Sequence, residues 1–178
     1  MIRRFAFTTL VLLLSLPIAY STSADKAAVA DDVVRMEVAT VILNEEERNF
    51  VLLLKPEAET DRRVLPMSIG FEEGRSIAIA FHKIQPPRPL THDLMRKIIE
   101  GYGGGVVSCT ITRMENDTFF AELRLKREGR EMTIDCRPSD AIALSLRSGT
   151  PVLVRRAVLN EHGIDPNKPE QREKPLKT

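Results

Sequence analysis

The segment from Thr118 to Lys126 carries the pattern that most restricts the fold. Phe119, Ala121, Leu123 and Leu125 alternate with Phe120, Glu122, Arg124 and Lys126. A period of two sets one row of side chains against a core and the other toward water, as in a half-buried strand. Two neighbouring segments share the pattern: Val106 to Met114 comes before it across Glu115-Asn116-Asp117, and Arg130 to Cys136 follows across Glu128-Gly129. Connectors this short and polar predict an antiparallel meander. Val107, Cys109 and Ile111 are expected to face the core on its first strand, and Met132, Ile134 and Cys136 on its third. The two cysteines then stand two strand spacings apart, about 9–10 Å, beyond the roughly 7 Å that a disulfide spans. Two free, buried thiols are predicted.

Upstream, Val33 to Leu43 alternates and reads as a strand. Phe50 to Lys55 is a nearly continuous apolar run and reads as a central strand covered on both faces. Pro66 demotes the segment Arg63 to Ile69 to an edge or bulged strand. Glu72 and Glu73 open a helix that ends before Pro86-Pro87-Arg88-Pro89, with His82 as a surface residue in its last turn. Thr91 is the expected N-cap of the next helix and Asp93 lies in its first turn. Leu94, Met95, Ile98, Ile99 and Tyr102 recur at helical spacing, as a buried stripe would. The glycines at 101, 103, 104 and 105 end this helix. They lack the lysine and Ser/Thr of a phosphate-binding loop.

Polar chemistry concentrates in Asp135-Cys136-Arg137-Pro138-Ser139-Asp140, ahead of the apolar run Ala141-Ile142-Ala143-Leu144. A strand ends here and a buried helix begins, and such turns lie at the open end of a sheet where ligands bind. Pro138 suits the first helical position. Ser139 and Asp140 fall in the first turn, where they cap free N–H groups and oppose the macrodipole. Capping leaves Asp135 and Arg137 unexplained. Alternation turns Asp135 away from the face that holds Cys136.

The first residues follow the order of a secretory signal: Arg3-Arg4, an apolar run from Phe5 to Ile18, and small residues up to Ala24. The run is short of the about 20 residues of a membrane span. The expected organisation is a signal peptide at 1–24, a flexible lead-in at 25–32, one domain at 33–164 and a disordered charged tail at 165–178. The protein is then periplasmic or secreted, with no stable membrane association after cleavage. Two of the 26 basic residues leave with the signal, against 25 acidic ones, so the mature chain is close to neutral. A large positive field of the kind that holds proteins on nucleic acid is excluded.

Three blocks, Leu65-Pro66-Met67-Ser68-Ile69-Gly70 with Glu73 after it, Arg88-Pro89-Leu90-Thr91-His92-Asp93-Leu94, and Asp135 to Leu144, together resemble the bifunctional nuclease domain family. The likeness runs from about Val33 to Gly163. It implies a single compact α/β (α+β) domain, with a mixed curved sheet, an antiparallel meander and helices packed on it, often as a homodimer. It also implies cleavage of phosphodiester bonds in RNA and/or DNA. The matched polar positions are Glu73, His92, Asp93, Asp135, Arg137, Ser139 and Asp140.

For that chemistry, Glu73, Asp93, Asp135 and Asp140 are candidate oxygen ligands for Mg²⁺ or Mn²⁺. Arg137 is a candidate phosphate clamp, and His92 a candidate general base or acid. Asp135, Arg137, His92, Asp93 and Glu73 make up the expected catalytic set. Ser139, Asp140, Thr91 and Pro138 are the expected structural and capping residues. Two other classes stay open: a non-catalytic dimeric binding or regulatory module for an anionic ligand or a partner protein, and a motif that only specifies the fold.

Overall fold

The computed structural model describes residues 32–168. The expected signal at 1–24, all of the expected lead-in but Asp32, and the expected tail from residue 169 onward lie outside the described residues. The chain opens with a hairpin of β1 (Val33–Asn44) and β2 (Asn49–Pro56), to which β3 (Leu65–Ile69) adds antiparallel. Helices α1 (Phe71–Phe81) and α2 (Thr91–Gly101) follow, then the meander β4 (Gly104–Glu115), β5 (Thr118–Arg127) and β6 (Arg130–Cys136). Helix α3 (Pro138–Ser148), strand β7 (Val152–Arg155) and helix α4 (Arg156–His162) complete the domain.

Both meander turns carry two successive residues at positive φ, Asn116 (49°) with Asp117 (60°) and Glu128 (49°) with Gly129 (75°). That is the backbone of a two-residue turn whose twist matches paired strands. The seven strands form one sheet in the order β3-β2-β1-β7-β4-β5-β6. Strand β7 joins the two hairpin systems, antiparallel to β1 and parallel to β4, so the sheet is mixed. Strand β3 lies at an edge, where Pro66 removes no ladder hydrogen bond that the fold needs. Cys109 and Cys136 are separated by β5 and are both free thiols; Cys109 is buried as expected, but Cys136, on the edge strand β6, is only half-buried.

On three strands the expected burial is corrected. Strand β2 sits one place from the edge, and only Leu52, Leu54 and Pro56 are buried, while Lys55 is exposed. Met132 and Ile134 lie on the predicted face of β6 but are exposed, because the helices pack over β4 and β5 and stop short of that edge. A bulge between Val106 and Ser108 puts Val106, not Val107, in the core.

The core consists of Met36, Leu52, Leu54, Leu65, Ile111 and Val154 from the sheet, packed against Ile77, Ile142, Leu144 and Leu159 from the helices. At about 25 cal/mol per Å² of buried apolar surface, this layer is the main stabilising term. Helix α3 lies at its centre, with every residue from Pro138 to Ser145 buried except Asp140. Pro138 occupies its first position, and Gly149, left-handed at φ 64°, closes it. Helix α2 is different. Leu94, Met95, Ile98 and Tyr102 are exposed, and His92 and Ile99 are the side chains turned toward the protein. The amphipathic stripe was correctly periodic but faces outward, because Asp93 is tethered to α3 by Arg147 on the opposite side.

Candidate active site

Helix α3 packs against both α1 and α2, and the first turns of all three helices meet. Each has a carboxylate at its third position: Glu73 in α1, Asp93 in α2 and Asp140 in α3. Acidic residues there are favoured by the free N–H groups and the positive end of the helix dipole. In this fold the same carboxylates also hold the helices to one another.

Arg137 N-caps α3 and sits at the mouth of the junction, its side chain 65% exposed. Its Nη1 lies 2.7 Å from Glu73 Oε1. Its Nε donates to Asp140 Oδ2 at 2.8 Å and its Nη2 to Oδ1 at 3.1 Å, a two-pronged grip on one carboxylate. Behind Asp140 stands His92, buried at 7% exposure, with Nε2 at 3.1 Å from Asp140 Oδ1. The other ring nitrogen, Nδ1, lies 2.9 Å from Ser76 Oγ. Burial tends to raise the Asp140 pKa, but the hydrogen bonds from Arg137 and His92 outweigh it and hold the carboxyl below its usual range.

Deeper still, Arg147 crosses from α3. Its Nε reaches Asp93 Oδ1 at 2.7 Å, its Nη2 reaches the backbone oxygen and Oγ of Ser76 at 3.1 Å each, and its Nη1 donates to Ala143 O at 3.0 Å. Asp93 also accepts the Leu90 backbone N–H at 2.9 Å. Its pKa is lowered: burial works upward, and the Leu90 N–H and Arg147 outweigh it.

A cleft of about 450 Å³ opens over this junction, lined by Glu73, Ser76, His92, Met95, Arg137 and Asp140 among others. Glu73, His92, Arg137 and Asp140 of the expected set are thus brought together. Asp93 is linked to them from behind through Arg147 and does not line the cleft. Asp135 stays apart: it is exposed on β6, paired across the ladder with Glu122, and lines no part of the cleft.

The capping roles are also corrected. Leu90, not Thr91, N-caps α2, because Asp93 supplies the bond to the Leu90 N–H. Arg137 N-caps α3 without a side-chain cap, since Asp140 spends its oxygens on Arg137 and His92, and Ser139 is buried at the second position. Pro138 holds its predicted place.

The four candidate metal ligands do not form an oxygen cage. Glu73 and Asp140 are held by Arg137, Asp93 by Arg147, and Asp135 is elsewhere. No group of three or more His, Cys, Asp or Glu side chains placed to hold a metal ion occurs among the described residues. The donor set does not fit a resident Mg²⁺ or Mn²⁺, since each clustered carboxylate already has a guanidinium partner.

Ser76 and Arg147 escaped the sequence reading. Arg147 had a detectable signal: it follows a run apolar but for Ser145 and lies seven residues, two helical turns, after Asp140, on the same face. Ser76 had none, because only the packing of α1 on α3 gives it a partner.

The sequence profile of the family described as the bifunctional nuclease domain matches residues 52–167. An uncharacterized protein of Mycobacterium tuberculosis (strain ATCC 25618 / H37Rv) is 39% identical over 120 residues, 67% of this chain and 71% of that protein. Bifunctional nuclease 1 of Oryza sativa subsp. japonica is 27% identical over 125 residues, covering 68% of this chain and 38% of the rice protein. Bifunctional nuclease 1 of Arabidopsis thaliana is 26% identical over 88 residues, 48% of this chain and 27% of that protein. The chain thus spans well under half of the plant proteins it matches. Its profile match covers the whole junction of α1, α2 and α3, and this chain belongs to the bifunctional nuclease domain family.

Proposed function

We propose that this protein is a nuclease that hydrolyses phosphodiester bonds of RNA and/or DNA at the cleft over the three helix starts. The observation that carries the reading is Arg137: an exposed guanidinium at the mouth, in front of buried His92 and its half-buried partner Asp140. A phosphate takes the planar fork of Arg137 in place of its two carboxylates. Free N–H groups at the convergent helix starts favour the anion. Asp140 then loses the stronger of its two partners, and the His92–Asp140 pair accepts the proton of the attacking water as the new P–O bond forms. The bond to the leaving oxygen breaks, that oxygen takes a proton from water in the cleft, and the hydroxide so formed recovers the proton held by the His92–Asp140 pair. No step draws on a bound cation.

The test is turnover of RNA and of single-stranded DNA by the purified mature chain, in EDTA and in Mg²⁺ or Mn²⁺. Arg137→Ala and Asp140→Asn should each lower the rate at least about 100-fold, the scale of lost acid–base or charge stabilisation. Unchanged rates in both variants sink the reading. Nucleic-acid binding without turnover supports the non-catalytic module instead.

Two further parts belong to this reading. The protein is exported, with residues 1–24 removed, and N-terminal sequencing of the protein from the periplasm or medium tests this. It acts as a homodimer joined through the exposed apolar face of α2, where Leu94, Met95, Ile98 and Tyr102 line up at helical spacing.

A further inference from the structure

The contacts of Ser76 and Arg147 set the direction of every hydrogen bond around His92. A guanidinium donates and never accepts. Ser76 Oγ, 3.1 Å from Arg147 Nη2, is therefore the acceptor in that pair. The single hydroxyl hydrogen of Ser76 remains for its other neighbour, His92 Nδ1 at 2.9 Å. In the neutral ring Nδ1 is then the acceptor and the proton sits on Nε2, facing Asp140 Oδ1 at 3.1 Å. The opposite tautomer sets two lone pairs against each other at Asp140 and leaves the Ser76 hydrogen without use. All three groups are nearly sealed from water, with Ser76 and His92 at 7% exposure and the Arg147 side chain at 6%, so solvent does not supply the alternative partners.

Donation thus runs one way, from Arg147 to Ser76 to His92 to Asp140. A neutral His92 held like this has no lone pair to offer the cleft. We infer that Arg147 and Ser76 are positioning residues that hold neutral His92 as its Nε2–H tautomer, which leaves the Asp140 carboxylate as the proton acceptor facing the cleft. The order is the mirror image of a Ser-His-Asp triad, in which the serine meets Nε2 and the aspartate Nδ1. Here the serine lies at the buried end and the aspartate at the open end. Ser76 is then an orienting group for the ring and not a nucleophile. The tautomer stands on its own geometry; the part assigned to Asp140 rests on the nuclease reading above.

The experiment combines one spectrum with one set of rates. The full chain is labelled with ¹⁵N-histidine and the ring nitrogens are read by long-range ¹H–¹⁵N correlation at a pH where titration shows the rings neutral. His82→Gln and His162→Gln variants assign the signals. The expected result is a proton on Nε2 and an acceptor at Nδ1 of His92, with this single form lost to a tautomer mixture in Ser76→Ala. Rates are compared for His92→Gln, which keeps an amide N–H for Asp140, for His92→Phe, which does not, and for Asp140→Asn. His92→Gln should retain at least tenfold more activity than His92→Phe, and Asp140→Asn should lose at least about 100-fold. Circular dichroism confirms that each variant is folded, and Arg147→Lys serves as the rescue arm for Arg147→Met. A proton on Nδ1 in the wild-type chain overturns the tautomer assignment whatever the rates. The expected spectrum with His92→Gln as inactive as His92→Phe overturns the role given to Asp140. A wild-type chain without any turnover overturns the nuclease reading and leaves the spectral arm to decide the tautomer.

Discussion

Arg147 in α3 reaches Asp93 in the first turn of α2 with Nε 2.7 Å from Oδ1, and the arginine side chain is only 6% exposed. The same guanidinium also satisfies a backbone oxygen on α1 and one on α3. One buried cation therefore ties together the three helices whose starts form the cleft. Arg147→Met leaves Asp93 without its cation and Ser76 without a donor. It is expected to destabilise the domain by about 2–4 kcal/mol, somewhat under the loss for a fully buried pair because Asp93 is partly exposed. Urea denaturation of wild type and variant measures it.

The same pair sets an acid limit on stability. The folded pKa of Asp93 lies below its ordinary value, as does that of Asp140. A depressed carboxylate contributes stability that is fully present above the unfolded pKa, about 3.9, and is lost as pH falls through the folded pKa. Melting temperature should hold level from pH 7 to about pH 5 and fall below about pH 4. Asp93→Asn should melt lower at neutral pH and show a shallower acid decline. An equally steep decline in that variant contradicts the assignment.

Gly74 lets α1 lie against β2. A Cβ at this position collides with Cβ and Cγ of half-buried Phe50, atoms too near the strand backbone to yield easily. Gly74→Ala should cost about 1–3 kcal/mol, as overpacking does, and should shift Glu73 and Ser76 with the helix. Gly101, at the end of α2, has open space around its Cβ position. Gly101→Ala should be neutral or stabilising by about 0.4–1 kcal/mol. Chemical denaturation of the two variants side by side separates packing from backbone entropy.

Neither thiol should react readily in the native protein. Burial, with Asp140 and Asp135 nearby, pushes Cys136 up to about 11, and burial pushes Cys109 higher still. At pH 8 the thiolate is scarce at both sites. Iodoacetamide should label native protein slowly and denatured, unreduced protein rapidly at two thiols. Absence of free thiols after denaturation would contradict the β4-β5-β6 order, which keeps the cysteines two strands apart.

The exposed apolar face of α2 gives the dimer its own test. Ile98→Glu places a charge at the middle of that face without touching the core. Analytical ultracentrifugation should find a dimer for the wild type and a monomer for the variant, with melting curves of the monomeric form little changed. A monomeric wild type, or an unaltered dimer in the variant, rules out this interface.

The meander was legible from Val106 to Cys136 because its information is local. Alternation assigns a face, and polar two-residue connectors assign a turn. Pro138 and the edge strand at Pro66 were legible for the same reason, since each answers to the backbone of its own residue. Alternation also put Met132 and Ile134 on the correct face of β6, and helical spacing marked the α2 stripe. Neither pattern carries whether anything covers the face, so both were assigned to the core and both proved exposed. The three motif blocks identified the family, and with it the general class of fold.

What the sequence determined by itself was therefore what chain neighbours enforce on one another: strand period, turn chirality, helix limits, and the short blocks that mark the family. Tertiary structure alone decided the rest. Strand β7 took its place between β1 and β4, Asp135 was left at an exposed edge, and Ser76 and Arg147 closed around His92. These contacts join residues 16 to 71 positions apart, and their free energy arises only when α1, α2 and α3 share one core. Until those helices pack, water satisfies the same polar groups and nothing prefers one partner over another.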